Sequence, residues 1–430
     1  GLGRGRGRGG RVWEPAPGHH EEEGEDVTWA AASGGRAAVR VVLRRGLSGE
    51  RIAEAALARG DSMRVLEVAA AIADGCDATV VLRLVRGTRR LLSHELQADV
   101  RLHHEETVDV IREFRRIAVA CADGTARLAS TGGGEAAAEA AEVLVGHGDA
   151  VLAVASCERG GSSSSSGSTG IADGPLLATG SADKTARVWN ATTGESLRTF
   201  EAPSPIGAVA FSPAGTHLLT CCGDGQCLIW NVESGDVEMV LSGHAGGVCA
   251  ADWSDDGQLI VTASADHTAK LWHGVFGQCM ETLRGHRAVL RGASFSRGGG
   301  RVATSSWDRT AKVWDVASGV CLLTLRGHAG EVLSVAWCPD SDEDARGAGR
   351  LATGSADGLA KVWCAEDGQL LLTLEGHTGA VRSARFSGDG RGLLTASSDG
   401  SARIWDTATG RTCWSLAGLP DKAASAAFVR

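Results

Sequence analysis

Histidine, serine and aspartate recur along this chain at regular intervals, and together they are the groups of a nucleophilic hydrolase. In such an enzyme a hydroxyl attacks, an imidazole takes its proton and a carboxylate orients the ring. Five sets are present: His147 with Ser181 and Asp183, His244 with Ser264 and Asp266, His286 with Ser306 and Asp308, His328 with Ser355 and Asp357, and His377 with Ser397 and Asp399. Each is followed by a tryptophan, at Trp189, Trp272, Trp314, Trp363 and Trp405. A catalytic site is one place, not five, and no GxSxG turn is present to expose a serine. The sets therefore read as scaffolding. Within each, the indole N–H is expected to donate to the serine hydroxyl, the hydroxyl to contact the imidazole, and the imidazole to contact the carboxylate. Buried polar groups need such partners, because leaving one unpaired costs about 1–3 kcal/mol. A Lys-Thr pair in Gly180–Thr185 (GSADKT) lacks the GxxxxGK spacing of a phosphate-binding loop.

The elements that must hold these side chains follow from the tryptophans. With Trp230 added, their spacings are 41, 42, 42, 49 and 42 residues. Each unit divides into four short alternating runs with turn signals between them, as in Val248–Trp253, Leu259–Ser264, Thr268–Trp272 and Gln278–Leu283. Four such strands make a sheet with two apolar faces, which must be covered by neighbouring copies. Segments such as Val261–His273 (VTASADHTAKLWH) and Ala303–Asp315 (ATSSWDRTAKVWD) carry the tryptophans, and five of the units open on Gly-His. A period near 42 with this start and finish resembles the WD-repeat β-propeller family. The resemblance runs from about Ile117 to the C-terminus.

Two units depart from the pattern. In Ile206–Asn231, Cys222 replaces the serine and Ala202-Pro203 replaces Gly-His; in Ile117–Leu128, Asp123 keeps the turn position but Ala129 stands where tryptophan is expected. Counting both, turn aspartates fall at Asp123, Asp183, Asp224, Asp266, Asp308, Asp357 and Asp399. The predicted fold is all-β, a seven-bladed WD-repeat propeller over residues 116–430, with a disordered tail over 1–46 and a small mixed extension over 47–115. That extension contains a helix-like patch at Glu50–Ala73 and a strand-like run at Thr79–Leu84. Either Ala424–Arg430 or Thr107–Phe114 completes the N-terminal blade; the first is favoured because it removes a sheet edge. Glu158–Gly174 and Pro339–Gly349 read as solvated insertions on the rim away from the Gly-His loops, and Ser130–Ala141 as an insertion of one or two helical turns.

Composition bounds the function. A net charge of −9 gives no long-range attraction for nucleic acid or an anionic membrane. The Arg-Gly run at Arg4–Arg11 lacks the aromatic residues that would make it an RNA-binding tail. No apolar run approaches the roughly 20 residues of a membrane span. The 12 cysteines show no CxxC pair and no zinc-ligand spacing, which suits buried thiols in a reducing compartment. An intracellular protein, cytoplasmic or nuclear, with no cofactor and no metal, is expected.

Family resemblance implies a rigid platform for other proteins. The residue before each turn aspartate is expected on the Gly-His rim: it is small or Ser in six units and Trp307 in one. A second rim position reads Leu152, Gly207, Cys249, Arg291, Leu333 and Arg382. An aromatic anchor flanked by Arg291 and Arg382 predicts an acidic or phosphorylated peptide partner. The expected function is a non-catalytic interaction scaffold, monomeric within a larger complex. The alternatives are a ubiquitin-ligase substrate receptor and a ciliary or cytoskeletal assembly adaptor. The W-D-x-R tetrapeptide typical of ligase receptors is missing, as in WNAT, WDVA and WDTA.

Overall fold

Alternating apolar residues broken by Asp-Gly or Asp-x-Thr turns fold each repeat into four antiparallel strands in sequence order. In the computed structural model these sheets occupy residues 151–201, 206–241, 248–284, 290–326, 332–374 and 381–416, here blades 1 to 6. Blade 7 is composite: Ala423–Val429 pairs antiparallel with Arg116–Cys121, which continues into Ala126–Ser130 and Glu142–Leu144. The last strand of the chain thus completes the first blade. Each innermost strand touches the next, and Ala423–Val429 touches both blade 6 and Val151–Cys157, so the ring is closed. The structure describes residues 116–131, 141–157, 174–339, 349–419 and 422–429, together with the backbone of six strands before residue 115.

Burial explains the stacking. The second strands are covered on both faces, as in Leu176–Ser181 and Gly392–Ser397, whereas the outer fourth strands are half exposed. Among the described residues seven apolar clusters each lie between one blade and the next. Leu219 and Ile229 of blade 2 meet Trp253, Ile260 and Trp272 of blade 3, and Ala118, Ala120 and Leu128 of blade 7 meet Leu177 and Trp189 of blade 1. Trp253 and Trp337, at the ends of inner strands, are buried in this core. The residue after each marker tryptophan closes the outer turn: Asp315 Oδ1 accepts the Ser318 N–H at 2.8 Å, and Asn190 Oδ1 accepts that of Thr192 at 2.8 Å.

Upstream of the ring the described backbone is extended. Ala37–Arg45 pairs antiparallel with Arg51–Ala58 and parallel with Glu106–Phe114, which also pairs with Val80–Arg86. The nine-residue strand Ala37–Arg45 lies inside the stretch expected to be a disordered tail. Arg51–Ala58 is a strand where a helix-like patch was expected, because ladder pairing along its length overrides the helix preference of its alanines. Glu106–Phe114 belongs to this sheet and not to blade 7. The insertions at 158–173 and 340–348, and most of Ser130–Ala141, lie outside the described residues.

Candidate functional site

The recurring polar sets come first, because they fix the loops of the Gly-His rim. In blade 4, His286 Nδ1 lies 2.7 Å from Asp308 Oδ2, which also accepts the Arg287 N–H at 3.0 Å. His286 Nε2 lies 2.9 Å from Thr304 Oγ1, and Trp314 Nε1 donates to that same oxygen at 2.8 Å. Blades 1, 3, 5 and 6 repeat the arrangement through Thr179, Thr262, Thr353 and Thr395, with each imidazole packed edge-on against its indole.

The hydroxyl of each chain is therefore threonine, and the expected Ser181, Ser264, Ser306, Ser355 and Ser397 stand outside it. Register gives the reason. Thr262 pairs with Lys270, two residues from Trp272, so an indole reaches it diagonally; Ser264 is one pleat further on. The serines hold the loops instead. Ser181, Ser264, Ser306 and Ser397 donate to carbonyls of the loop before the inner strand at 2.8–3.1 Å, and all five accept the N–H of the aspartate two residues on.

Electrostatics agree with a neutral imidazole. Burial lowers the pKa of His147, His244, His328 and His377, outweighing the pull of the partner carboxylates. At the aspartates burial pushes upward, but hydrogen bonds from loop N–H groups, from the imidazole and, except at Asp357, from the hydroxyl two residues on prevail. Asp183, Asp266 and Asp399 are held at about 2, and Asp308 and Asp357 are also lowered. The hydroxyl, imidazole and carboxylate have the connectivity of a hydrolase triad, yet all five threonines are 0% exposed, so no substrate reaches the oxygen.

Blades 2 and 7 show how the set is lost. Trp230 still donates to Thr220 at 2.9 Å, but no histidine joins it. In blade 7 the imidazole, hydroxyl and indole positions are Leu419, Val119 and Ala129, which share one buried apolar cluster. Replacing every partner at once leaves nothing unpaired.

A second device aims side chains at the rim. In blade 4, Leu290 pairs with Ser306 and Gly292 with Ser305, leaving Arg291 opposite nothing. The same surplus residue occurs in each inner strand: Leu152, Gly207, Cys249, Leu333, Arg382 and Ala424. A bulge turns its extra side chain out of the ladder, here into the mouth of the ring. Leu152, Cys249, Arg291, Leu333, Arg382 and Trp307 all line one cavity of about 510 Å³ at this mouth, with Glu331 and with residues from every blade.

Trp307 is 42% exposed, and its backbone N–H is tied to Val289 O at 3.0 Å. The turn is thus fixed while the indole is free. Arg382 Nε donates to Ser398 Oγ at 2.6 Å. Two further arginines of blade 4, Arg287 and Arg309, are exposed on the same rim. Among the described residues the guanidinium groups of Arg287, Arg291 and Arg309 enter no hydrogen bond or ion pair. Arg309 has φ 67°, in the left-handed region that glycine occupies in blades 2, 5, 6 and 7; Lys184 and His267 share this conformation in blades 1 and 3. Sequence reading missed Arg287 and Arg309, although aligning the repeats one residue beyond the histidine and beyond the aspartate reveals both.

Among the described residues no group of three or more His, Cys, Asp or Glu is placed to hold a metal ion, and no helix is long and apolar enough to cross a membrane.

The family profile described as WD domain, G-beta repeat matches residues 139–190, 194–231, 235–273, 277–315, 319–364 and 368–406. The chain belongs to the WD-repeat family. Eukaryotic translation initiation factor 3 subunit I of Coccidioides immitis is 40% identical over 68 residues, 15% of this chain and 20% of that protein. Its counterpart from Aspergillus fumigatus is 52% identical over 44 residues, 10% of this chain and 13% of that protein. Protein tipD of Dictyostelium discoideum is 38% identical over 76 residues, 17% of this chain and 12% of that protein. The matched stretches span a fifth or less of these relatives' length.

Proposed function

We propose that this chain is a non-catalytic scaffold that organises a multiprotein complex through its Gly-His rim. Trp307 is the anchor, and Arg287, Arg291, Arg309 and Arg382 attract an acidic or phosphorylated segment of the partner. The observation that carries this reading is an exposed indole on the same blade as three unpartnered guanidinium groups, at a turn position where the other six blades carry a small residue. Tryptophan and arginine dominate interface hot spots, and charge complementarity sets association rate and specificity. A protein partner is favoured over nucleic acid because the arginines sit on a chain of net charge −9 with one apolar anchor, not a basic stripe. The designation of two relatives as a subunit of a larger factor is in keeping with a role inside an assembly. No residue favours the ligase-receptor or cytoskeletal-adaptor readings.

Affinity purification of the intact chain beside Trp307→Ala tests the proposal. The expected result is loss of specific partners with an unchanged far-ultraviolet spectrum and melting temperature. An unchanged partner set would remove Trp307 from the binding site.

A further inference from the structure

Blade 2 lacks the imidazole that ties loop to turn in five other blades. Its turn aspartate, Asp224, is exposed, and among the described residues its carboxylate accepts only the Gln226 N–H, at 3.0 Å. At this end of the same hairpin, Cys221 and Cys227 stand directly opposite each other on adjacent strands, Sγ to Sγ 3.1 Å, and are 0% and 1% exposed. Sister blades put two small residues here, as in Gly180 with Ala186, Ala263 with Ala269 and Gly354 with Ala360. Blade 2 alone opposes two thiols.

The pairing type suits a covalent link. One step toward the turn, Cys222 N donates to Gln226 O at 2.9 Å, so the cysteines occupy a non-hydrogen-bonded pair. Such pairs bring Cα atoms to about 4.5 Å, inside the roughly 4.4–6.8 Å that a disulfide spans. We propose that Cys221 and Cys227 are an oxidation site, closed by a peroxide to a cross-strand disulfide that staples the one hairpin keeping its indole pair but lacking an imidazole clamp. One sulfur attacks a peroxide oxygen, the O–O bond breaks, and a sulfenic acid and one water form. The second sulfur displaces the hydroxyl as a second water and makes the S–S bond. Two thiols and one hydrogen peroxide become one disulfide and two waters. Burial raises the pKa of the Cys221 thiol and covers both sulfurs, so the reaction proceeds through transient openings of the hairpin and is slow at neutral pH and faster in alkali. The fixed turn carries Gly223, which lines the rim cavity.

The test treats the full-length chain with hydrogen peroxide under native conditions, blocks remaining thiols with N-ethylmaleimide, and cleaves before Asp224, separating Cys221 and Cys222 from Cys227. Mass spectrometry is expected to find Cys221 linked to Cys227, released by dithiothreitol, with two free thiols lost per chain. The link is expected to persist in Cys222→Ser, which restores the serine of the sister blades, and to vanish in Cys221→Ala, which restores their small residue. The linked chain is expected to melt above the reduced one, with no such shift in Cys221→Ala. Three outcomes overturn the proposal: no linked peptide while the ring stays folded, a link that survives Cys221→Ala, or a linked chain that melts no higher.

Discussion

At Thr304 two contacts converge on one oxygen, from Trp314 at 2.8 Å and His286 at 2.9 Å. Thr304→Val keeps the shape and strands both nitrogens, so a loss of about 2–3 kcal/mol is expected. Ser306→Ala removes only the loop contacts, and about 1 kcal/mol is expected. Urea denaturation of both variants decides: equal losses, or the reverse order, contradict the threonine-centred chain. Protonation tests the same groups. The folded ring holds His147, His244, His328 and His377 below their ordinary value, so the unfolded chain takes up protons first as pH falls past about 6.5. Stability present above that pH declines below it. A second decline begins near pH 4, the ordinary aspartate range, and is complete near about 2 for Asp183, Asp266 and Asp399. Unfolding free energies at pH 7.5, 5.5 and 4 are expected to fall in that order, and a flat profile between the first two contradicts neutral imidazoles. Histidine, aspartate and tryptophan were legible in the sequence by spacing. Threonine was not, because choosing between hydroxyls two residues apart needs the diagonal reach of an indole across the ladder.

Strands and turns carry the next level. Ala423–Val429 supplies the inner edge of blade 7 and buries Phe428 and Val429. Removing residues 423–430 uncovers Arg116–Cys121 as an unpaired edge, a template for aggregation. Loss of the monomer peak in size-exclusion chromatography is expected; a monomeric truncated chain that melts like the intact one contradicts the closure. The turn of blade 4 tests a trade between strain and binding. Arg309 holds φ 67°, which costs a non-glycine residue about 1–2 kcal/mol. Arg309→Gly is expected to raise stability by about 1 kcal/mol while weakening partner capture, and a destabilised variant contradicts the strain. Four strands per repeat could be read from alternation and turn residues. The bulge that frees Arg291 could not, since Leu290-Arg291-Gly292 gives no local sign of where pairing slips. Ala-rich Arg51–Ala58 misled for a related reason: pairing with distant strands decides its conformation.

For the whole molecule, repetition made the ring legible. Seven turn aspartates mark seven blades even where the polar set has decayed, as in blade 7 with Leu419, Val119 and Ala129. The proposed binding site stands out only where repetition fails. The residue before the turn aspartate is small in six blades, and blade 4 puts Trp307 there, lining a cavity of about 510 Å³ with Arg291, while Arg287 and Arg309 stand exposed on the same rim. The central claim is that this asymmetry selects an acidic segment with an apolar key residue. Its most direct test is selection from a random peptide display library on the intact chain, with Trp307→Ala and the Arg287, Arg291 and Arg309 triple alanine variant in parallel. The account predicts enrichment of Asp- and Glu-rich peptides bearing one large apolar residue on the intact chain, and its loss on both variants. Peptides without acidic enrichment, or equal enrichment on Trp307→Ala, would contradict it.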